Sequence, residues 1–512
     1  MTMRRNLHHI SLCRAILVGM AIVGLAACSR VSVPDNFSQS SERPRIYPDY
    51  IDVTIPVNIS PLSFQMDDDA QEMVARYSFG QHDIVCGGEK AQPPVEEWKQ
   101  LTAEAQGKDI QVEVFARYDG GWKRFQPFHI TVSPDSIDPY VSYRVISPSY
   151  VTYEELSINQ HSLENYDESI IYSNMLCSTE ESGQCINCHN YQQFHPERMQ
   201  FHARQNHGGT IIAYDGDVRK INMKNDSILS AGVYPAWHPW LKLIVYSTNH
   251  TNQVFHTRDL NKIEVFDSGS DIIAYDIDRN EVTNVQNDPD EFEVFPFWAP
   301  DGKTLYYCSA HFEFKDTTSH EVEVIRRAKE VRYNLYRMSF DPDTWQFGPR
   351  ELVFRADSLD KSATLPRISP DGRFLMFTLG SYGCFHIWHR DADLWMIDLK
   401  SGVVRAMDEI NSSNTESYHS WSSNGRWVIF SSRRDDGGYT RPFIAHIDKD
   451  GKGSKPFEMP EEDPARHREY LKCYNIPEFM AGPVTISPQT FADVLKSDGE
   501  APVKYVHRLR NQ

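Results

Sequence analysis

Short runs of alternating apolar and polar residues, separated by turns, dominate the chain from about residue 210 onwards. Two such runs flank a Pro-Asp-Gly turn in a segment whose clearest copy extends from Phe297 to Tyr307. Further copies span 367–377 and 420–430, and an eroded copy without Asp-Gly spans 236–246. Pro-Asp-Gly favours a tight turn because Gly accepts a positive φ, and the flanking aromatic and β-branched residues favour strands. The pattern therefore predicts a β-hairpin at each copy.

Each copy is followed by a second strand-like run that ends in a polar turn, as at 272–277, 334–338, 393–398 and 442–447. Two successive hairpins would form a four-stranded sheet. A single sheet of this size cannot bury both faces, so several sheets are expected to pack radially as the blades of a propeller. The alternative is a β-sandwich built from generic hairpins.

The repeat, Trp-x-Pro-Asp-Gly followed by Lys or Arg and an alternating strand, resembles the repeats of TolB-like six-bladed propellers. The resemblance covers roughly residues 150–450. It implies an all-β fold in which residues 150–460 form a six-bladed TolB-like β-propeller. It implies little about function, because propellers include both binding modules and enzymes.

A separate unit precedes the repeats. Alternating runs at 52–59, 111–118 and 128–132 predict a small β-sandwich domain over residues 48–149, and the run 93–105 predicts one short helix. After the last repeat, residues 461–512 form a C-terminal closing segment, in which 491–495 is predicted to be helical.

The N-terminus predicts export and lipid attachment. Arg4 and Arg5 precede an apolar run that is too short to span a bilayer, and the run ends in Leu-Ala-Ala-Cys at Cys28. This ending resembles the bacterial lipobox, which implies a lipoprotein signal peptide at 1–27 and a lipid-modified Cys28. Residues 28–47 are rich in Ser, Pro and Arg and predict a flexible tether. The protein is then expected in the cell envelope, lipid-anchored to a membrane, most simply the outer membrane on its periplasmic face.

Composition limits the partners. The net charge of -19 argues against nucleic acid and against an electrostatic attachment to anionic lipids. An odd number of scattered cysteines (Cys86, Cys177, Cys308, Cys384 and Cys473) remains outside the motifs and does not suggest a disulfide framework.

One pentapeptide predicts a cofactor. Cys185 and Cys188 lie three residues apart and are followed at once by His189, which is the attachment signal for a c-type haem. The two thiols would form thioethers with the porphyrin, and His189 would become the proximal iron ligand. In a cytosolic chain the same residues could be chance or half of a zinc site. In an exported chain we expect one covalent haem c, carried by an insertion at about 175–209 at the edge of the propeller.

The second axial ligand would decide between an electron carrier and an enzyme, because an open position on the iron admits a substrate. The nearby candidates are His195, Met199, His202 and His207. We favour His202, which is far enough along the chain to reach the other face of the ring, with His207 next and an open position third. Arg204 would pair with a haem propionate.

Weaker candidates lie close to the repeat hairpins and could face a central channel: His311, His386, His389, His419, Arg433 and Arg434. Residues of this kind are more often satisfied polar groups at strand ends.

The whole arrangement resembles haem-bearing TolB-like propeller lipoproteins of Bacteroidetes and, more distantly, the haem-carrying propeller region of the hydrazine synthase α subunit. The favoured hypothesis is a monohaem c-type cytochrome lipoprotein that transfers electrons, with the propeller as a scaffold for docking periplasmic redox or envelope proteins. Two alternatives remain open. One is a TolB-like envelope interaction protein without a redox role, and the other is a haem enzyme acting on a small molecule.

Replacing Cys28 by Ser tests the lipid anchor. We expect the variant to leave the membrane fraction while remaining folded, because the tether separates the anchor from the core. Membrane fractionation after a high-salt wash measures this, and retention of Cys28→Ser on the membranes would refute lipidation at this residue.

Overall fold

The computed structural model of the protein describes residues 31–147, 155–223, 225–315, 319–498 and 502–510. The predicted signal peptide and Cys28 lie outside the described residues. No helix in the described part of the chain is long and apolar enough to cross a membrane.

The N-terminal unit consists of two sheets and one helix. Its strands are β1 (Ser38–Gln39), β2 (Ile46–Tyr47), β3 (Thr54–Pro56), β4 (Phe64–Met66), β5 (Glu72–Phe79), β6 (His82–Gly88), β7 (Lys90–Ala91), β8 (Asp109–Tyr118), β9 (Gly121–Arg124) and β10 (Phe128–Ser133). β8 is central to a seven-stranded sheet and pairs with β5, β9 and β10, whereas β2, β4 and β7 form a second sheet. The predicted helix is confirmed as α1 (Val95–Glu104), which buries Trp98 and Leu101.

The folded unit begins earlier than the sequence suggested. β1 pairs with β9, and β2 pairs with β4, although both strands fall within the predicted tether. Ile46 and Tyr47 are buried, and this burial compensates for the entropy lost on ordering the segment.

Six four-stranded antiparallel units follow, and we number them in the order of their first strands. Unit 1 comprises β11 (Tyr140–Ile146), β12 (Leu156–Ser162), β13 (Glu168–Ser173) and the late strand β34 (Cys473–Met480), and unit 2 comprises β14 (Gln184–Tyr191), β15 (Arg198–Gln205), β16 (Gly209–Tyr214) and β17 (Asp217–Ile221). Unit 3 comprises β18 (Val233–Trp237), β19 (Leu243–Phe255), β20 (Ile263–Asp276) and β21 (Glu281–Gln286), and unit 4 comprises β22 (Glu291–Trp298), β23 (Thr304–His311), β24 (Asn334–Asp341) and β25 (Gln346–Phe354). A parallel pairing of Ser270 with Phe292 joins β20 to β22, so that units 3 and 4 belong to one sheet. Unit 5 comprises β26 (Ser362–Ile368), β27 (Phe374–Gly380), β28 (Asp393–Asp398) and β29 (Val404–Ala406), and unit 6 comprises β30 (Glu416–Trp421), β31 (Trp427–Ser432), β32 (Arg441–His446) and β33 (Phe457–Glu458).

The remaining elements are short. They are α2 (His320–Arg326), α3 (Arg466–Glu469), α4 (Pro488–Lys496), β35 (Lys504–Tyr505) and four 3-10 turns at Asn174–Leu176, Ala328–Glu330, Asp357–Leu359 and His386–Trp388. α4 confirms the helix predicted in the C-terminal segment, and β35 pairs with β21. The predicted turn glycines Gly302, Gly372 and Gly425 have φ of 58°, 74° and 66°.

Each unit has one inner strand: β34, β14, β18, β22, β26 and β30. Every inner strand contains a β-bulge, and one residue of each bulge has a positive φ. These residues are Ile476, Cys188, Tyr234, Phe295, Leu365 and Tyr418. The inner strands contact one another in sequence, from β14 through β18, β22, β26 and β30 to β34, and β34 also contacts β14. The chain is therefore nearly all β and has a propeller-like architecture.

The expected haem insertion at about 175–209 is not found. The segment instead contains β14, β15 and the start of β16, all within unit 2. Its polar residues conceal the strand pattern, and several of them are buried inside the sheet with hydrogen bonds to other strands or to each other. The Gln200 amide donates to the Cys188 carbonyl, and the Asn190 amide donates to Glu478 at 2.8 Å.

The boundaries of the propeller-like region also differ from the prediction. β11 begins at Tyr140 and pairs with both β12 and β34, so the region starts before residue 150. β34 belongs to the predicted closing segment, yet it is the inner strand of unit 1. Sequence repeats could not reveal this pairing, because its two partners lie at opposite ends of the region.

A buried charged cluster joins the N-terminal unit to unit 6. His467 Nδ1 lies 2.6 Å from Glu458 Oε1, and its Nε2 lies 3.1 Å from Glu461 Oε1. The Tyr47 hydroxyl donates to Glu458 at 3.1 Å. Burial alone would lower the pKa of His467, but the hydrogen bonds and charges of the two glutamates raise it to about 9.

This cluster predicts a loss of stability at alkaline pH. The pKa of His467 is raised in the folded state, so its contribution is fully present below about pH 6.5 and is lost as the pH rises through 9. Urea unfolding at pH 6 and above pH 9 should show a loss on the order of 3 kcal/mol that is absent in His467→Gln. His82→Gln is the control, since His82 pairs with Glu104 in a more exposed position. Equal alkaline losses in wild type and His467→Gln would refute the assignment.

Candidate functional site at the inner strands

One small cavity is lined by residues from all six inner strands. The positive-φ residues of the six bulges line it together, and its volume is about 30 Å³. A second cavity of about 110 Å³ shares three lining residues with it, Asn190, Arg367 and Glu478. The CxxCH motif lies on β14 and therefore beside the centre of the propeller-like region, not at its edge.

The three motif residues are buried but do not face one cavity. Cys188 and His189 line the 30 Å³ cavity, and Cys185 is not among its lining residues. Cys185 packs with the apolar residues between units 1 and 2, and lies opposite the exposed Arg204 in the β14–β15 register. Burial raises the pKa of the Cys185 thiol, and Arg144 and Arg204 partly oppose this shift.

The His189 side chain is buried and neutral. Burial, followed by the charge of Arg144, lowers the pKa of His189 to about 3, against a smaller opposing effect of the Ile476 and Ser142 backbone. Neither ring nitrogen makes a hydrogen bond within the described residues. The Ile476 and Ser142 backbone groups lie close to the ring without hydrogen-bonding geometry, so the imidazole remains available to a ligand that the chain itself does not provide.

Arg144 is a site residue that the sequence did not single out. It lies on β11, is 6% exposed, and forms no ion pair or hydrogen bond through its side chain in the described part of the chain. Its charge acts on Cys185, His189 and Tyr418. A buried guanidinium without a counter-charge is unfavourable, which makes Arg144 suited to an anionic group beside the motif. Only the pairing of β11 with β34 places this residue near β14.

The predicted distal ligands do not join His189 at the cavity. The His202 ring nitrogen Nδ1 lies 3.1 Å from the Thr210 hydroxyl on the neighbouring strand, and burial lowers the pKa of His202 to about 3. Met199 is fully buried in the apolar cluster between units 1 and 2, and His207 is exposed in the turn after β15. His195 lies in the loop before β15. None of the four lines the cavity with Cys188 and His189.

His195 also belongs to a possible cation-binding group. Ligand atoms of His195, Glu197 and Asp215 lie within 4.8 Å of one another. Arg198 already pairs with Asp215 at 2.7 Å, and both acids are exposed, so this group alone does not define a metal site.

His189 has a structural counterpart in another unit. It follows the positive-φ residue Cys188, as His419 follows Tyr418. The other four units have proline at this position: Pro235, Pro296, Pro366 and Pro477. His419 is also buried with neither ring nitrogen hydrogen-bonded, and burial lowers its pKa to about 3. The motif residues Cys188 and His189 therefore occupy positions of the repeat itself.

The other polar candidates do not form one site. His386 bonds to Thr364 at 2.9 Å, His389 bonds to Glu264 at 2.9 Å, and His311 is exposed. Arg434 pairs with Glu416 at 3.1 Å. Arg433 stacks on Trp388 at 4.0 Å from the ring centroid and lines a separate surface cleft.

The side chains around the CxxCH motif have the chemistry that a c-type haem needs, but the cavity beside His189 is too small for a porphyrin. Two thiols, a neutral unpaired imidazole and an unpaired buried arginine match the thioethers, the iron and a propionate. Ligand pockets are usually about 300 Å³ or more, so 30 Å³ leaves no room for a porphyrin beside His189. A bound haem would therefore require β14 and its neighbours to pack less closely than they do here.

No protein-family model matches the chain, and no curated protein matches it. Among solved structures it is similar to a prolyl endopeptidase, with 12% identity and a TM-score of 0.34 over 62% of this chain and 42% of that one. It is also similar to the β-propeller domain of the Trilobed protease from Pyrococcus furiosus, with 12% identity and a TM-score of 0.31 over 68% of this chain and 82% of that one. An oligogalacturonate lyase gives 12% identity and a TM-score of 0.30 over 66% and 86%. The chain thus spans less than half of the length of the prolyl endopeptidase.

The equivalence of the six bulges predicts that His419→Pro is tolerated. Residues 418 and 419 are skipped in the β30–β31 register, so proline removes no ladder hydrogen bond, and the unfolding free energy at pH 7 should change by less than about 1 kcal/mol. The folded pKa of His419 is lowered, so its contribution is present above about pH 6.5 and is lost as the pH falls towards 3. The variant should therefore lose less stability on acidification, by up to about 1.4 kcal/mol per pH unit in urea unfolding.

Ser420→Pro is the matched control. Ser420 is paired with Ile429, and proline there removes a ladder donor, so this variant should be strongly destabilised. If His419→Pro is as unstable as Ser420→Pro, the six positions are not equivalent.

Proposed function

We propose that the six units close into a six-bladed β-propeller around the cavity at the inner strands. Two observations support closure. The contacts between inner strands lead from β14 around to β34 and back to β14, and one cavity takes a lining residue from every inner strand. β34 would close the ring by completing unit 1 from the far end of the chain.

We propose further that the protein is an exported, lipid-anchored monohaem c-type cytochrome whose haem is attached through the CxxCH motif on β14. The observation that carries this proposal is the buried, neutral and unpaired imidazole of His189, directly after a motif thiol on an inner strand. Cys185 and Cys188 would attach the haem, and His189 would bind its iron. When bound, such a group supplies one-electron transfer to periplasmic partners.

The chain's own residues would prepare this site in two ways. The low pKa of His189 keeps its imidazole neutral at neutral pH, so that one ring nitrogen has the free lone pair required of a metal ligand. Arg144 from within the fold and Arg204 from the surface flank Cys185 and would stabilise the haem propionates.

One observation favours the alternative of an envelope interaction protein without a redox role. Cys188 and His189 hold repeat positions that Tyr418 and His419 hold in unit 6, so their packing at the centre does not require a haem. A test must therefore separate iron binding from packing.

Expression with a c-type maturation system provides this test. We expect the wild-type protein to keep a haem-staining band after denaturation, and Cys185→Ala with Cys188→Ala to lose it. Cys86→Ala, which removes a buried thiol of the N-terminal unit, is the control and should keep the band.

His189→Ala should alter the absorption spectrum of the haem, whereas the same change at His419 should leave it unaltered, although both residues are equally buried. A colourless wild-type protein with both motif thiols open to alkylation would favour the alternative. Equal effects of the two histidine variants would show that His189 acts only through packing.

A further inference from the structure

A surface cleft of about 520 Å³ lies apart from the motif, between three loops of the same kind. Each loop connects the second and third strands of its unit. Unit 3 contributes the tip of the long β19–β20 hairpin, unit 5 the β27–β28 connection, and unit 6 the β31–β32 connection. The volume is within the usual range of about 300–1,000 Å³ for small-molecule sites.

Buried polar contacts hold the walls of the cleft in place. Glu264, at the start of β20, lies 2.9 Å from His389 of unit 5 and accepts a hydrogen bond from the Tyr382 hydroxyl. Near the hairpin tip, the side chain of Asn261 accepts a hydrogen bond from the Arg390 backbone at 3.2 Å. Thr415, in the connection before β30, donates to the His389 carbonyl at 2.8 Å, and its own carbonyl accepts a hydrogen bond from the Arg433 backbone at 3.1 Å. The three loops are therefore joined, and the cleft is preformed.

The cleft is positively charged in a strongly acidic protein. Lys262, Arg390 and Arg433 line it, one from each loop. The acidic lining residue Asp436 is paired with Arg441 at 2.6 Å, and Arg441 also pairs with Asp435. Lys262 and Arg390 are exposed and form no ion pair within the described ranges. These two available cations favour an anionic ligand.

Apolar surface accompanies the charge. Arg433 is 7% exposed and stacks on Trp388, which fixes its guanidinium at the wall of the cleft. Tyr439 also lines the cleft, and Leu260 at the hairpin tip is 73% exposed. An inorganic ion would leave this surface uncovered, whereas an anion with a ring or other apolar body would bury it.

We propose that this cleft binds a small organic anion, with a carboxylate or phosphate group held by Lys262 and Arg390 and an apolar body against Trp388 and Tyr439. The site is independent of the haem proposal, because none of its residues belongs to the inner-strand cavity.

Calorimetric titration of the full chain tests the proposal with benzoate, phenyl phosphate, the uncharged isostere benzamide and inorganic phosphate. We expect saturable binding of benzoate or phenyl phosphate, weakened by added salt and at least about tenfold tighter than benzamide. The preference between the two distinguishes a carboxylate from a phosphate ligand. Inorganic phosphate should bind more weakly than either, because it covers no apolar surface.

Arg390→Gln and Lys262→Gln should each weaken binding by about three- to tenfold, since both cations are partly exposed. Arg258→Gln is the control, because Arg258 is an exposed cation of the same hairpin tip that does not line the cleft. No saturable binding of either aromatic anion up to about 10 mM would overturn the proposal. So would equal affinities for benzoate and benzamide, or equal effects of all three variants.

Discussion

The pairing of β34 with β11 is the contact on which the propeller-like region depends. Tyr140 lies opposite Met480 in this register, so the first and last strands of the region belong to one sheet. Without β34, unit 1 would have no inner strand, and the edge of β11 would be left unpaired. The same pairing places Arg144 beside the CxxCH motif. Both the stability of the fold and the position of Arg144 in the candidate site therefore depend on the pairing of β11 with β34.

The repeat and the proposed haem attachment would make competing demands on β14. As a repeat element, β14 contributes Cys188 to the ring of positive-φ residues and packs His189 against unit 1. As a haem-attachment segment, it would need a porphyrin-sized space beside those residues. The close packing has two costs, an imidazole without hydrogen bonds and an arginine without a counter-charge. A bound haem would relieve both, and this links the proposed function to an energetic property of the fold.

The charged cleft has a different physical origin. It is built from connections between strands, where length and composition vary without disturbing the sheets. The extended β19–β20 hairpin crosses to unit 5, and the Glu264–His389 pair holds it there. A propeller-like scaffold can thus carry two unrelated sites, one formed by inner strands and one by loops.

The sequence by itself determined the local structure. The Pro-Asp-Gly turns predict hairpins because Gly302 and its counterparts must adopt a positive φ, and α1 and α4 follow from local patterns. Four of the six units were visible from these turns and from two eroded copies of the repeat. The other two inner strands, β14 and β34, end at Tyr191 and Met480, and no Pro-Asp-Gly turn follows them. The residues of CxxCH were equally visible, since the motif is defined by a fixed spacing along the chain.

Only the tertiary structure decided how these pieces meet. Residues 184–191 form a strand because they pair with β15, although their polar side chains hide the alternating pattern in the sequence. The hydrogen-bond partners of these side chains lie on other strands, as Glu478 does for Asn190. His202 was favoured from its distance along the chain, yet the sheet directs it to Thr210. Arg144 carries no local signal at all, because its role arises from burial next to residues distant in sequence. Spacing along the chain fixes turns and motifs, whereas burial and long-range pairing fix which side chains share a site.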